Sequence, residues 1–210
     1  MKYILIFIIM AVAVGNAQVS DIVKDTIRLD ELVITKYSSS NYRIRDIARR
    51  GKCYAPDNLS DASEIISLVD NLPAGELNSI RFYFNEMFDA YKRLPQNVTD
   101  RDFELLLYRV NDNNTPGERL VHETMLLRLK KSHTGGVVIN ISALGIKSPD
   151  RLFIGLRLLG ERGKNDFYVD CLCNGYDKYL TLFRDSASKD WNRRWACAAL
   201  KIDVSVAVKK

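Results

Sequence analysis

Apolar and polar side chains alternate with a period of two through much of the chain. Ile80, Phe82 and Phe84 share one face of a predicted strand, while Arg81 and Tyr83 take the other. Because short strands separated by Gly, Pro, Asn and Asp turns are typical of sandwiches and barrels, we predict an all-β fold: a jelly-roll-like antiparallel β-sandwich with at most one short helix. Further strands are predicted around residues 103–110, 135–142, 152–160, 167–173, 179–183 and 200–208.

The segment 61–72 is the place where the pattern allows a helix. It opens with Asp61, an acceptable N-cap, and Glu64 follows three residues later. A strand fits equally well, because residues 65–68 also alternate in orientation on a strand. Both interpretations stay open at this point.

An Asn/Asp cluster in residues 108–121, "YRVNDNNTPGERLV", raises the question of a cation-binding loop. A cation loop would need alternating oxygen ligands, but the only carboxylates in the run are Asp112 and Glu118. Turn chemistry accounts for the remaining residues, since Pro116 presets its backbone angle and Gly117 tolerates positive φ. We therefore predict a β-hairpin.

The first residues have the pattern of a secretory signal peptide. Lys2 precedes the apolar run 3–14, and Gly15 and Ala17 supply small side chains before a cleavage site ahead of Gln18. That run is shorter than the roughly 20 residues that cross a bilayer. We expect an exported protein, periplasmic, outer-membrane-associated or secreted, with no stable membrane span after cleavage. The predicted organisation is a signal peptide, an N-terminal arm with one edge strand and a β-sandwich domain, over residues 1–17, 18–50 and 51–210.

The charge of the chain argues against one class of partner. The sequence carries 31 Lys and Arg against 26 Asp and Glu, a formal net charge of +5. The basic residues are spread out, and the densest groups, "RIRDIARRGK" and "WNRRW", hold only a few each. Because nucleic-acid binding needs a basic stripe and usually a recognisable module, we expect no nucleic-acid partner.

Four cysteines, Cys53, Cys171, Cys173 and Cys197, predict disulfides in an oxidising compartment. Cys171 and Cys173 lie on the same face of a predicted strand, too far apart for easy mutual bonding, so each is expected to pair with Cys53 or Cys197. A zinc site is the alternative, but the spacing lacks the usual ligand pattern.

The sequence holds little that predicts catalysis. His122 and His133 are its only histidines, and neither lies in a metal-binding or nucleophile motif. Adjacent acidic residues such as Asp30 and Glu31 diverge on a strand, which weakens a glycosidase interpretation. We predict no catalytic residues, no metal and no cofactor.

Aromatic residues offer a possible binding surface for sugars. Trp191, between Asp190 and Asn192, is predicted to be exposed, whereas Trp195 is predicted to pack in the core. The candidate ligand-binding residues are Trp191, Tyr176 and Tyr179. Further aromatic residues that could form a platform are Tyr83 and Tyr91.

The order "RFYFNE", "FELLLYRVNDNNTPGERL", "GGVVINIS" and "SPDRLFIGLRLLG" resembles a β-sandwich domain of exported proteins from Gram-negative bacteria, often found with carboxypeptidase-regulatory-like domains. The resemblance spans roughly residues 77–160 and implies a jelly-roll-like fold and an envelope location. It implies no catalytic residues. The matching positions are Tyr108, Val110, Pro116, Gly117, Leu120, Pro149, Phe153 and Gly155.

A second segment, "IRLDELVIT" at residues 27–35, resembles the segment near the front of outer-membrane receptors that use the TonB energy-coupling protein. That resemblance implies strand addition to a partner sheet. An ordinary edge strand is the alternative, because the residues are common strand formers.

These observations together predict a non-enzymatic exported envelope protein whose β-sandwich mediates contacts with an envelope protein or a glycan. The alternative is a carbohydrate-binding module that uses exposed aromatic side chains.

Overall fold

The computed structural model describes residues 41–51, 53–59, 61–86, 99–160 and 167–210. These residues form antiparallel strands in two sheets and one short 3-10 helix, Ser142–Leu144. The strands are β1 (Tyr42–Ala48), β2 (Tyr54–Asp57), β3 (Glu64–Val69), β4 (Glu76–Phe84), β5 (Arg101–Val110), β6 (Pro116–Arg119), β7 (Leu126–Leu129), β8 (Gly135–Asn140), β9 (Leu152–Leu159), β10 (Val169–Leu172), β11 (Thr181–Arg184), β12 (Asn192–Arg193), β13 (Ala199–Leu200) and β14 (Ile202–Lys209).

Sheet I and sheet II each contain seven strands. Sheet I has the order β1-β14-β4-β10-β13, with β8 also paired to β4 and β2 to β10. Sheet II has the order β12-β11-β3-β9-β5-β6, with β7 also paired to β5. Many neighbouring strands are distant in sequence, so the fold depends on long-range pairing rather than on successive hairpins.

A continuous apolar core holds the two sheets together. Phe82 and Phe84 of β4 are buried, and they alternate with the outward-facing Tyr83 as the period-two pattern predicts. The Phe84 and Phe103 rings are 5.5 Å apart, and Phe167 meets Phe103 edge-on at 5.0 Å. The predicted all-β antiparallel sandwich is confirmed.

Segment 61–72 contains strand β3, so the strand interpretation is correct and the helix interpretation is wrong. β3 lies between β11 and β9 and pairs with both. Its Ile65 and Ile66 are both fully buried, because Ile65 faces the core and Ile66 packs on the outer face of sheet II. Partners on two edges and apolar neighbours on two faces outweigh the local helix signal.

The Asn/Asp cluster is the predicted hairpin. β5 and β6 pair across it, with a register irregularity between Tyr108 and Val110. Two of the turn oxygens accept hydrogen bonds from protein groups: Asn113 Oδ1 accepts from the Thr115 hydroxyl at 2.5 Å, and Asn114 Oδ1 accepts from Arg151 at 2.6 Å. One detail of the prediction is wrong: the residue with positive φ is Asn114, at 59°, and Gly117 is not among the positive-φ glycines. Asn tolerates this conformation better than most residues, so it occupies the position expected for Gly.

Replacing Asn114 with Val is expected to destabilise the protein more than replacing Asp112 with Ala. A β-branched side chain is strained at positive φ, by about 1–3 kcal/mol. The Asp112 side chain is exposed, and surface turn substitutions usually change stability by less than about 0.5 kcal/mol. Urea melts of the two variants test this order. If the Asp112 variant is the weaker one, and only in calcium-containing buffer, the turn binds a cation.

Both disulfides fasten the end of β10. Cys171 bonds to Cys197, and Cys173 bonds to Cys53. The first bond is buried and connects β10 to the segment before β13, while the second connects β10 to the residue before β2. The expectation that Cys171 and Cys173 each find a partner elsewhere is confirmed, and all four cysteines are used.

Several sequence predictions fall outside the described residues. They are the signal peptide at 1–17, the TonB-box-like segment at 27–35 and Tyr91. The described part of the chain begins at residue 41, and β1 forms an edge of sheet I by pairing with β14.

Candidate functional site

Aromatic and arginine side chains meet beside the two disulfides. We call this cluster, Tyr176, Tyr179, Arg193 and Trp195, the aromatic corner. Two tyrosines come from the turn after β10, where the Tyr179 amide donates to the Gly175 carbonyl at 2.8 Å. The other two residues come from β12 and the residues just after it.

Trp195 is the most exposed large apolar residue of the described chain, with 64% of its surface accessible. Arg193 lies over its ring, with the guanidinium carbon 4.3 Å from the ring centroid. Tyr176 adjoins it with ring centroids 6.0 Å apart and planes tilted by 45°. The Arg193 guanidinium covers one face of the ring, and most of the Trp195 surface remains accessible to solvent.

Arg193 also holds the turn in place. Its Nη2 donates to the Tyr176 carbonyl, and it lies 3.4 Å from the Tyr179 carbonyl oxygen. Cys197 follows Trp195 by two residues and is bonded to Cys171 in the core. The exposed ring therefore projects from backbone that is fixed on both sides, which lowers the entropy cost of binding.

Arg194, the next residue in the chain, binds two carboxylates outside the aromatic corner. It forms a bidentate pair with Asp57, with both distances 2.7 Å, and also contacts Asp61 at 2.6 Å. The Asp57 hydrogen bonds raise the pKa of Arg194 despite its partial burial. This pair anchors the segment to the loop after β2.

A further arginine lies beneath the aromatic corner. Arg49 is only 9% exposed, and its guanidinium carbon is 5.1 Å from the Tyr179 ring centroid. Its Nη2 donates to the Leu68 carbonyl. Desolvation by burial lowers the pKa of Arg49 to about 10, although Asp70 and Tyr179 act in the opposite direction.

Neither tryptophan has the burial that the sequence predicted for it. Trp195, predicted to be in the core, is exposed, so that prediction is wrong. Trp191, predicted to be exposed, is half-buried: its ring meets Tyr108 edge-on at 5.8 Å, and Arg184 lies over it at 4.3 Å. The structure thus groups Tyr176 and Tyr179 with Trp195 rather than with Trp191.

A row of alternating charges crosses sheet II near Trp191. Directly opposed positions on successive strands are Arg184, Glu64, Arg157 and Glu104. Glu64, only 1% exposed, accepts from Arg157 and Arg184 at 2.7 Å each. Glu104 accepts from Arg157 at 2.7 Å and from Arg119. For Arg157, desolvation lowers the pKa, but the Glu64 hydrogen bond and nearby carboxylates outweigh it and the net shift is upward.

The side chain of Tyr83, another candidate platform residue, is engaged in contacts on sheet I. Its hydroxyl donates to Asp203 at 2.5 Å, and the Lys201 ammonium lies 4.2 Å from its ring centroid. It is therefore part of a polar cluster on the outer face of sheet I rather than of the aromatic corner.

None of the contacts described for the two histidines involves these clusters. His122 is exposed beside the exposed Glu123, and the His133 carbonyl accepts from Asn85 at 2.9 Å. Within the described ranges, no three His, Cys, Asp or Glu side chains are placed to hold a metal ion. No helix in the described part of the chain is long and apolar enough to span a membrane.

Sequence reasoning missed Arg49 and Arg193. Arg193 lies in "WNRRW", a segment interpreted only as a small basic group, although its Trp-x-Arg-x-Trp spacing puts Arg193 within reach of a ring. Arg49 carries no comparable local signal, because its burial and its contact with Tyr179 arise from distant parts of the chain.

No family matches the chain, and no curated protein matches it. Among solved structures it is similar to the clostridial cysteine protease Cwp84 after propeptide cleavage, with a TM-score of 0.41 and 10% identity over 80% of this chain. It is also similar to the cysteine protease and lectin-like domains of Cwp84, a surface-layer-associated protein of Clostridium difficile, with a TM-score of 0.41 and 11% identity over 75% of this chain. The matches cover 40% and 36% of those chains. Similarity at this level assigns neither a family nor an activity.

Proposed function

We propose that this chain is an exported, non-enzymatic envelope protein that binds a carbohydrate on the aromatic corner. The observation that carries the proposal is Trp195, an exposed ring held in place by Arg193 and by the neighbouring disulfide. The C–H groups on one face of a sugar ring carry partial positive charge, and they stack favourably on the electron-rich face of an indole. Tyr176 extends the same surface beside it.

Export is supported by the cysteines. All four form disulfides, and such bonds are typical of secreted, periplasmic and cell-surface proteins. Together with the signal peptide predicted from the sequence, the disulfides support our proposal that the protein is exported.

The hydrogen bonds of two buried carboxylates, Glu64 and Glu104, support the non-enzymatic part of this proposal. Glycoside hydrolysis needs two carboxyl groups with oxygens available to a substrate. In Glu64 and Glu104 each oxygen accepts from an arginine. Both groups therefore stabilise the sheet rather than transfer protons.

A protein ligand is the second candidate. Trp, Tyr and Arg are the residues most enriched at energetic hot spots of protein interfaces, and the aromatic corner contains all three types. A pull-down that captures an envelope protein through Trp195, together with an empty glycan array, would favour this candidate.

A glycan array probed with the purified full chain tests the proposal. We expect binding to a restricted set of glycans and a loss of at least about 10-fold in affinity for Trp195→Ala, the usual effect of removing a central aromatic anchor. Trp191→Phe serves as the control, because Trp191 packs against Tyr108 and Arg184 outside the corner. Binding that is unaffected by Trp195→Ala, or no glycan binding at all, would refute the proposal.

A further inference from the structure

Within the described part of the chain, strand β1 leaves the edge of sheet I open along residues 44–48. β1 is the end member of the strand order, and its pairing with β14 runs over residues 42–48 without a register shift. The strand contains neither proline nor glycine, and most of its residues are exposed. Ile44 is 45% exposed although its side chain is large and apolar. β1 therefore lacks the prolines and bulges that commonly prevent a further strand from adding to an edge.

The hydrogen bonds at the two ends of β1 show which way its backbone groups point. The Lys210 amide donates to the Asn41 carbonyl, and the Arg49 amide donates to the Ile202 carbonyl, each at 3.1 Å. Both bonds join directly opposed residues, so the odd-numbered residues of β1 form the hydrogen-bonded pairs with β14. The even-numbered residues turn their amide and carbonyl groups away from β14. Along the open edge these residues are Ile44, Asp46 and Ala48.

Two arginines give this edge its charge. Arg43 and Arg45 share a face of β1 with Ile47, whose side chain packs against the core, but both arginines are exposed. Residues two apart on a strand are separated by about 7 Å. Among the described residues neither arginine has a carboxylate partner, in contrast to Arg50, which pairs with Asp203. One face of the open edge thus presents two neighbouring positive charges.

These charges determine which strands can add to the edge. Like charges that are directly opposed across a strand pair are destabilising. A second copy of this chain paired antiparallel about Ile44 would oppose Arg43 to Arg45, and a pair centred on Arg45 would oppose that residue to itself. Charged side chains are a common defence against such edge-to-edge association. The same arginines favour a strand that carries carboxylates at the opposed positions.

We propose that the open edge of β1 binds an extended acidic segment of another protein by strand addition, with carboxylates opposite Arg43 and Arg45. Ile44 would exchange backbone hydrogen bonds with the residue between the carboxylates. The arginines then occupy non-hydrogen-bonded positions, where opposed side chains lie closest. The residue between the carboxylates lies beside the exposed Ile44 and is apolar, so the expected motif is acidic-apolar-acidic. This surface includes no residue of the aromatic corner, and the proposal does not depend on carbohydrate binding.

Fluorescence anisotropy of labelled peptides with the purified full chain tests the proposal. The peptides are strand-forming, as long as β1, and differ only at their centre, which is Glu-Val-Glu, Gln-Val-Gln or Lys-Val-Lys. We expect Glu-Val-Glu to bind about 3- to 10-fold more tightly than Gln-Val-Gln, the combined effect of two cross-strand charge pairs, and Lys-Val-Lys to bind most weakly. N-methylation of the central valine amide removes the donor opposite Ile44 and should weaken binding of the Glu-Val-Glu peptide about 3- to 10-fold.

Two variants of the protein separate the charges from the backbone groups. Arg43→Gln combined with Arg45→Gln should reduce the preference for Glu-Val-Glu over Gln-Val-Gln to less than about 2-fold. Arg109→Gln is the matched control and should keep the full preference, because Arg109 is an exposed arginine that pairs with Glu118 at the hairpin. Ile44→Pro removes an outward amide without removing a bond to β14, and proline is tolerated at such edge positions. It should weaken binding of every peptide.

Equal binding of the Glu-Val-Glu and Gln-Val-Gln peptides, or binding of neither, overturns the proposal. A preference that persists in the folded double-arginine variant also overturns it. Binding that valine N-methylation leaves unchanged does the same, and that result does not depend on how well Ile44→Pro folds. Light scattering of the unmodified chain tests the other occupant: we expect no dimer through this edge, and a dimer that Ile44→Pro abolishes would assign the edge to a second copy instead.

Discussion

Replacing Glu64 with Gln is expected to lower the free energy of unfolding by about 3–5 kcal/mol, the usual cost of breaking a buried ion pair by removing one partner. Glu64 is 1% exposed, and each of its oxygens accepts from a different arginine at 2.7 Å. An amide keeps the shape but removes the charge, and it turns an NH2 group toward one guanidinium. Arg157 and Arg184 would then share a site with no carboxylate between them. Urea denaturation with a linear extrapolation measures the change.

Asp102→Asn is the matched control for this prediction. Asp102 lies on the same sheet, and Arg128 binds it through two hydrogen bonds of 2.7 Å, which lower the pKa of the Asp102 carboxyl. Both side chains are substantially exposed, so we expect a loss below about 1 kcal/mol. Equal losses for the two variants would contradict the view that burial makes the Glu64 network important to the fold.

Removal of the buried disulfide, by Cys171→Ala together with Cys197→Ala, is expected to cost about 2–5 kcal/mol. Both residues are fully buried, and the bond joins β10 to the segment that carries Trp195. The loss comes from the added freedom of the unfolded chain and from the missing sulfur atoms in the core. Thermal or urea melts of the double variant give the value.

The second disulfide offers a comparison within the same protein. Cys53 and Cys173 are 120 residues apart in sequence, against 26 for the buried pair, so loop-closure entropy predicts a loss at least as large. Cys53 is exposed, however, and its removal leaves the core intact. A loss below about 1 kcal/mol for the buried pair would show that close packing around β10 holds this region without the covalent bond.

Much of the fold can be predicted from local patterns in the sequence. Period-two alternation located most of the long strands, because a strand with one face in the core must place apolar residues at every second position. Turn-forming residues identified the hairpin. The even number of cysteines indicated disulfides, and the spacing of Cys171 and Cys173 indicated that each bonds to a different cysteine rather than to the other. Each of these signals is carried by residues close together in the chain.

The candidate site could not be predicted in the same way. Trp191 lies between Asp190 and Asn192, whereas Trp195 is followed by Ala196, and this local composition favoured exposure of the wrong tryptophan. Tyr108 of β5 and Arg184 of β11 decide the matter, because they form the environment in which Trp191 is half-buried. Likewise, Arg49 becomes notable only because strand pairing buries it beneath Tyr179. Strand pairing between distant segments, rather than residue type, determines which of these side chains are buried and which are exposed.

The most direct test of the central claim uses the fact that the sequence contains two tryptophans. Trp191→Phe leaves Trp195 as the only indole, and Trp195→Phe leaves Trp191. Intrinsic fluorescence of each variant is titrated with a glycan that binds on the array. A ligand stacked on Trp195 should shift the emission of the Trp191→Phe variant and protect it from quenching by acrylamide, with no saturable change in the Trp195→Phe variant. If only the variant that retains Trp191 responds, the ligand binds elsewhere and the aromatic corner is not the site.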